Sequence, residues 1–197
     1  MDKFIGKSKE KYGAIFNYNN INYITSKKPI NLKCTKHNNI FQITIRSHLD
    51  SQFGGCEYCD KDFRLKKLLN DSVNKYGNKF IIKNDTFINY QNKIIINCIY
   101  HGDFEIKPQK HIVSNYGGCS KCLIEEDFNY LKKESEKLFN NNYDFSNFNF
   151  TSLDNKSIIK CKKHNIDILT CGRTHLRTIF GSCKKCSLEN KKKRIKK

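Results

Sequence analysis

The stretch CIYHGDFEIKPQKHIVSNYGGCSKC, residues 98–122, has a close counterpart on each side of it in the chain. It opens with a C-x-x-H motif and closes with a glycine-led C-x-x-C motif. The cysteines that open the three C-x-x-H motifs are 64 and then 63 residues apart; they are Cys34, Cys98 and Cys161. A register this regular predicts a tandem array of three copies of one small domain.

Each copy supplies three cysteines and one histidine, the residue types that hold structural zinc in a tetrahedron. The predicted ligands are Cys34, His37, Cys56 and Cys59; Cys98, His101, Cys119 and Cys122; and Cys161, His164, Cys183 and Cys186. Free buried thiols would not explain the same spacing three times, and a reducing compartment argues against disulfides. We therefore predict three zinc ions per chain, which would also stabilise units whose apolar cores are small.

The residue after each C-x-x-H supports a tight turn at the metal. It is Asn38, Gly102 or Asn165, and asparagine and glycine tolerate left-handed backbone best. Glycines also precede each C-x-x-C, where we expect a tight entrance to a helix. Cys171 has no counterpart in the other copies and is interpreted as a passive strand thiol.

The hydrophobic pattern predicts a small α+β fold, with a β-hairpin around each C-x-x-H and a helix after each C-x-x-C. The first such helix carries Leu65, Leu68, Leu69, Val73 and Tyr76 and ends at Gly77; the second carries Ile124, Phe128, Leu131 and Leu138 and ends at Asn140. Aromatic residues keep their distance from the first cysteine of each copy: Phe16, Phe80 and Tyr143, then Tyr23, Phe87 and Phe150. The expected organisation is an N-terminal helix 1–13, repeats 14–76, 77–139 and 140–188, each of the first two with its exit helix, and a basic tail 189–197.

A second histidine in each copy lies eight residues before the third ligand, so there are five candidates for four places: these are His48, His111 and His175. We assign the metal to the C-x-x-H histidines because the turn geometry there is local. Three roles stay open for the second histidine: a packed or helix-capping residue, a phosphate contact, or the base of a nuclease.

The formal net charge is +18, which favours a polyanionic partner, although AT-rich coding contributes to the lysine content. The cations are mostly lysine, which suits phosphate contact better than bidentate base recognition. The candidate nucleic-acid contacts are Arg46, His48, Lys110, His111, Lys160, Lys162, Arg173, His175, Arg177, Lys191, Lys192, Lys193, Arg194, Lys196 and Lys197.

The pattern C-x-x-H-[GN]-x-F … H-[LI] … G-G-C-x-x-C resembles an uncharacterised treble-clef family, often labelled a probable zinc ribbon. That family is common, frequently in tandem, in giant DNA viruses, phages and some bacteria. The resemblance covers all three repeats, and it implies zinc-stapled, treble-clef-like units joined by helices, with a nucleic-acid role. The resemblance does not identify a catalysed reaction.

The favoured interpretation is a non-enzymatic zinc-binding array that holds DNA or RNA through phosphates with little sequence specificity. The alternatives are a treble-clef (HNH-like) nuclease and a protein–protein or virion scaffold, for which Tyr18 and Tyr58 are candidate exposed aromatics. No acidic pair accompanies the second histidine, which weighs against the nuclease. The N-terminal sequence lacks a signal-peptide core and no stretch is apolar enough to span a bilayer. We therefore expect an intracellular protein without membrane contact, found, if viral, in the host cytoplasm, viral factory, nucleus or virion.

Overall fold

The computed structural model describes residues 2–19, 21, 25 and 27–195, with the backbone alone described at 190–195. The chain divides into two compact units, residues 1–113 and 114–197. Tyr23, one of the recurring aromatic residues, lies outside the described residues.

The first unit contains two three-stranded antiparallel sheets, each with its second strand in the middle. Their strands are β1 (Phe16–Asn17), β2 (Pro29–Cys34) and β3 (Asn39–Thr44), then β4 (Phe80–Ile82), β5 (Ile94–Cys98) and β6 (Gly102–Ile106). Four helices accompany them: α1 (Asp2–Tyr12), α2 (Ile45–Asp50), α3 (Glu57–Tyr76) and α4 (Pro108–Val113). Two single 3₁₀ turns, Gly77–Lys79 and Asn84–Thr86, flank β4.

The second unit repeats the same design once. Its sheet is β7 (Tyr143–Asp144), β8 (Lys156–Cys161) and β9 (Ile166–Cys171), again with the second strand in the middle. Strand β10 (Ile179–Ser182) and helices α5 (Ser120–Phe139), α6 (Gly172–Arg177) and α7 (Lys184–Ile195) complete it. The small α+β class, predicted from the hydrophobic pattern, and its three tandem copies, predicted from the motif spacing, are confirmed.

The hairpins form where alternating apolar residues place one face inward. In β2 the side chains of Ile30, Leu32 and Cys34 are buried while their neighbours are exposed. The turn after C-x-x-H adopts the expected left-handed backbone, with φ of 53° at Asn38 and 51° at Asn165. That turn lets the chain reverse directly behind the first cysteine and its histidine.

A third, very short strand in each sheet was not predicted. It carries the recurring aromatic residue directly opposite the first cysteine: Phe16 pairs with Cys34, Phe80 with Cys98 and Tyr143 with Cys161. The constant spacing of 18 residues therefore reflects a cross-strand pair beside the metal ligands.

The long helices end where predicted, and the predicted stripe is buried or half-buried except at one position in each helix. Gly77 with φ of 60° and left-handed Asn140 terminate α3 and α5. Val73 and Leu138, expected to face the core, are about half exposed, at 49% and 52%. Ser72 and Ser135 are buried instead, because the helix face is set by a polar contact with a histidine rather than by apolar periodicity alone.

Three six-residue helices, α2, α4 and α6, follow the hairpins and were also missed. Each carries the second histidine of its repeat. The segment expected to be a basic tail begins inside α7, whose backbone is helical to Ile195. Among the described residues, no helix combines the length and apolar character needed to cross a bilayer.

Candidate metal centres

Three groups of four side chains bring potential ligand atoms within 4.8 Å of one another. They are Cys34, His37, Cys56 and Cys59; Cys98, His101, Cys119 and Cys122; and Cys161, His164, Cys183 and Cys186. These are the twelve residues selected from the sequence spacing. Each group could hold one metal ion.

The distances within the first and third groups match a zinc tetrahedron. Zn–S bonds near 2.3 Å and Zn–N bonds near 2.0–2.1 Å imply edges of about 3.6 Å between S and N and about 3.8 Å between two S. In the first group His37 Nδ1 lies 3.5, 3.8 and 3.4 Å from the sulfurs of Cys34, Cys56 and Cys59. The Cys34 and Cys59 sulfurs are 3.8 Å apart.

The third group repeats these values. His164 Nδ1 lies 3.6, 3.5 and 3.3 Å from the sulfurs of Cys161, Cys183 and Cys186, and Cys161 Sγ is 3.8 Å from Cys186 Sγ. In the second repeat, Cys98 Sγ lies 3.6 Å from His101 Nδ1. The same arrangement of three sulfurs and one imidazole nitrogen therefore occurs in the first and third repeats, and its dimensions fit a zinc ion.

Local structure explains how each pair of ligands is held. The first cysteine ends the middle strand of its sheet, and the histidine follows in the left-handed turn. The third ligand is the residue immediately before a helix, and the fourth lies in its first turn. Free amide groups at a helix N-terminus favour thiolates there, which is the form that binds zinc.

The four groups of one cage do not ionise independently. Burial opposes ionisation of Cys34, yet hydrogen bonds with His37 and the neighbouring thiols outweigh it and lower the pKa of Cys34. Burial and the adjacent Cys56 and Cys34 raise the pKa of Cys59 to about 12. In the third cage the lowered pKa belongs to Cys183, where hydrogen bonds outweigh burial, while burial and the adjacent thiols raise the pKa of Cys186 to about 12. A divalent cation would offset this mutual repulsion.

A carboxylate behind the ligand histidine was missed by the sequence analysis. Asp62 Oδ2 lies 3.1 Å from Nε2 of His37, and Glu189 Oε1 lies 2.9 Å from Nε2 of His164. Lys36 and Lys163 form ion pairs with the same carboxylates. This contact turns Nδ1 toward the sulfurs, the arrangement found behind zinc-bound histidines in general.

The signal for these carboxylates is present in the sequence. Asp62, Glu125 and Glu189 each lie three residues after the last cysteine of their repeat. That spacing places the acid one turn along the helix that carries the cysteine. Hydrogen bonds from His164 and then Lys163 lower the pKa of Glu189 to about 2, so it is ionised at neutral pH.

The second histidines lie apart from the cages and are fully buried, with 0% exposure for His48, His111 and His175. A side chain with no exposed surface does not contact a phosphate, so the structure corrects their prediction as nucleic-acid contacts. Of the three roles left open, the packed role is the one observed. Burial lowers the pKa of His48 and brings that of His175 to about 4, so both are neutral at pH 7.

A serine from the preceding long helix meets this histidine. Ser72 Oγ lies 2.8 Å from His111 Nε2, and Ser135 Oγ lies 2.9 Å from His175 Nε2. In the first repeat Tyr18 hydroxyl takes this place, 3.1 Å from His48 Nε2, while His48 Nδ1 contacts Gly54 O at 2.7 Å. Tyr18, expected to be exposed, is therefore buried at 7% exposure, and burial raises its pKa to about 12.

The remaining basic candidates differ in availability. Arg173 forms a two-point ion pair with Asp154, with N–O distances of 2.7 and 3.1 Å, and Arg46 lies 3.4 Å from Asp50. Lys110, Lys162 and Arg177 are exposed, and Lys160 is half-buried. The side chains of Lys191, Lys192, Lys193 and Arg194 are not described, and Lys196 and Lys197 lie outside the described residues.

Cys171 stands outside the three cages. It is half-buried at the end of β9 and its sulfur lies 3.1 Å from Thr174 Oγ1. Thr44 caps α2 at the same place in the first repeat by accepting a hydrogen bond from the Ser47 amide. The two residues thus share a position at the start of a short helix.

Comparison with known proteins gives one family and several viral relatives. The family described as "Protein of unknown function (DUF723)" matches residues 1–60 and again 62–123. Three relatives are proteins of Acanthamoeba polyphaga mimivirus that are described as uncharacterized. The first is 28% identical over 193 residues, covering 89% of this chain and 68% of the relative.

The second relative is 22% identical over 198 residues and covers 92% of this chain and 75% of its own length. The third is 30% identical over 124 residues, which is 61% of this chain and 45% of the relative. No solved structure matches the chain. The expected kinship with a tandem-repeat family of giant viruses is confirmed. Since two consecutive family matches together cover more than half of its length, the chain belongs to the DUF723 family.

Proposed function

We propose that this chain binds three zinc ions as structural centres and uses the resulting array to bind nucleic acid through phosphates, with little sequence specificity. The observation that carries the proposal is the repeated Cys₃His cage in a strongly basic chain. Three thiolates and one neutral histidine around Zn²⁺ give a net −1 at each site, so three loaded sites reduce the formal +18 to +15.

Zinc is supported by the donors and by what surrounds them. The first and third cages offer three sulfurs and one imidazole nitrogen at tetrahedral edge lengths, and in both of them an ion-paired carboxylate orients the imidazole. All four positions are filled by protein atoms, which is typical of structural rather than catalytic zinc. In each repeat the first two ligands lie at a hairpin turn and the last two lie at the N-terminus of a helix. This order also agrees with a treble-clef arrangement.

Phosphate binding is supported by charge and by the surplus of lysine. Lysine presents a point charge that suits phosphate without reading a base. The expected partner is DNA or RNA. Residues 140–197 hold 14 of the 37 Lys and Arg residues and 4 of the 19 acidic residues, a formal +10 of the total +18. Charge concentrated in the third repeat and its C-terminal segment favours that part as the main contact.

A protein scaffold is the second candidate, supported by exposed apolar residues in the second repeat. Ile81, Ile99 and Tyr100 are 57%, 51% and 70% exposed, whereas the positions of Ile81 and Ile99 are Asn17 and Thr35 in the first repeat. The nuclease alternative loses its proposed base, because the second histidines are buried.

Salt-dependent binding separates the two candidates. Zinc-loaded protein should bind short DNA and RNA at low salt, and log K should fall linearly with log salt because each phosphate contact releases counterions. Shuffling the base sequence should change the affinity by less than about threefold, since phosphate contacts carry no sequence information. Absence of binding at 50 mM salt would contradict the nucleic-acid role and favour the scaffold.

A further inference from the structure

Two grooves occupy equivalent places in the first and third repeats. The first, of about 410 Å³, is lined by residues of the α2–α3 connection and the start of α3, including Ser51, Phe53 and Glu57. The second, of about 450 Å³, is lined by Thr178, Phe180 and Lys184, each 127 residues further along. Because the two grooves have equivalent positions and similar volumes, they can be compared by the residues that line them.

The charge at two positions of this groove changes sign along the chain. The residue before the connection is Asp50 in the first repeat, Val113 in the second and Arg177 in the third. The residue after the helix-leading cysteine is Glu57, then Ser120, then Lys184. At both positions the residue is acidic in the first repeat, uncharged in the second and basic in the third. The third groove therefore has two cations at its rim where the first groove has two carboxylates.

These two cations are available to a ligand. Arg177 and Lys184 are exposed, and within the described part of the chain neither forms an ion pair. By contrast, Arg64 at the first groove is paired with Asp60 at 2.8 Å, and Arg173 is held by Asp154. Among the described residues, an anion entering the third groove therefore has no ion pair to break at either side chain.

The same groove offers an apolar surface beside the cations. Ile179 is 75% exposed and Phe180 is half-buried in its wall, whereas Gln52 and Asn115 occupy the Ile179 position in the other repeats. Unpaired bases present a flat apolar face, which single-strand-binding proteins take up on apolar and aromatic side chains next to a basic groove. A duplex hides those faces and would leave Ile179 exposed.

We propose that the groove formed by Arg177, Ile179, Phe180 and Lys184 is a binding site for single-stranded nucleic acid. The two cations contact consecutive phosphates, and the apolar wall receives a base. The proposal rests on the nucleic-acid role proposed above and identifies the repeat and the strand state through which that role is exercised.

The test compares two variants of the full zinc-loaded chain that change net charge equally. Arg177→Asp with Lys184→Glu gives the third groove the residues that the first repeat carries at those positions, so the fold accommodates them. Lys3→Glu with Lys7→Glu is the control, because these two lysines of α1 are exposed and are not among the candidate nucleic-acid contacts. Binding of a fluorescent mixed-sequence single strand and of its duplex is measured by anisotropy from 25 to 200 mM salt, after zinc content has been checked.

The groove variant should lose about tenfold or more in single-strand affinity at low salt, and its salt slope should shallow by about 1.4, the value for two phosphates. The control should lose less than about threefold. Equal losses in the two variants, or tighter binding of duplex than of single strand by the wild type, would overturn the proposed site while leaving nucleic-acid binding in place. No binding of either probe by the wild type at the lowest salt would overturn the proposed function itself.

Discussion

At the scale of single residues, the carboxylate behind the ligand histidine of the first and third repeats is the clearest feature that composition alone does not reveal. Asp62 and Glu189 each hold Nε2 of the histidine whose Nδ1 faces the sulfurs. Because that contact fixes the orientation and tautomer of the imidazole, it should raise zinc affinity without contributing a ligand.

Removing this carboxylate should weaken zinc at one site. Asp62→Asn and Glu189→Gln should each reduce the affinity of the affected site by about 10-fold or more, as measured by competition with a chromophoric chelator. Asp60→Asn is the matched control, because Asp60 lies on the same helix but is paired with Arg64. Equal affinity in Asp62→Asn and Asp60→Asn would show that the carboxylate has no role at the metal.

The buried histidines predict a loss of stability in acid. His175 has an ordinary pKa near 6.5 when unfolded and about 4 when folded, because burial disfavours its charged form. Between these values the unfolded state binds more protons, so stability falls as pH drops from about 6.5 to about 4. The full effect corresponds to about 3 kcal/mol.

A variant at His175 separates the effect of its protonation on stability from the effect of losing zinc at low pH. His175→Gln keeps a polar side chain that does not titrate, so its unfolding free energy should fall less steeply than that of the wild type from pH 6.5 to 4. Denaturant melts of both proteins at several pH values give the two slopes. Parallel slopes would mean that His175 is protonated equally in the folded and unfolded states.

At the scale of secondary-structure elements, the long helices are held by a repeated polar contact. Leu68, Ser72 and Tyr76 of α3 recur at the same spacing as Leu131, Ser135 and Phe139 of α5. Ser72 and Ser135 contact the buried histidine of the following short helix, and Tyr76 hydroxyl donates to the His111 carbonyl at 2.6 Å. Each helix thus carries ligands for one repeat and a packing face for the next.

Gly54, two residues before the first cysteine of the C-x-x-C, tests how closely the chain packs against the Phe16 ring. Gly54 has φ of +60°, and a Cβ there would lie 2.3 Å from the Phe16 ring. Gly13 has the same φ with open space around it, so Gly13→Ala should cost only the backbone strain of about 1–2 kcal/mol. Gly54→Ala should cost about 1–3 kcal/mol more because the ring must move. Equal melting losses for the two variants would contradict the close packing.

The elements differ in how far sequence predicts them. Motif spacing identified the hairpin turns and helix ends correctly, since Asn38, Gly77 and Asn140 have strong backbone preferences. The short strand holding Phe16 has two residues, too few for an alternating pattern. The helix stripe was misassigned at Val73 and Leu138 because apolar periodicity does not register a buried serine that is hydrogen-bonded to a histidine.

At the scale of the whole molecule, zinc is expected to supply stability that the small cores do not. The sheet cores of the two units contain few fully buried apolar side chains, such as Leu32 and Ile159. Domains with cores this small usually need a disulfide or a bound metal for stability. The sequence predicted the three cages because ligand spacing survives as a linear pattern. It did not predict the grooves, because their walls combine loop and helix residues whose exposure only the fold decides.

The number of zinc ions per chain tests the central claim most directly. Native mass spectrometry of protein purified without added chelator should show three zinc ions, and Cys119→Ser with Cys122→Ser should show two while the other sites stay loaded. Three ions require all twelve ligands to act in three separate cages. A native protein that holds no zinc, or only one ion, would contradict the three-site array.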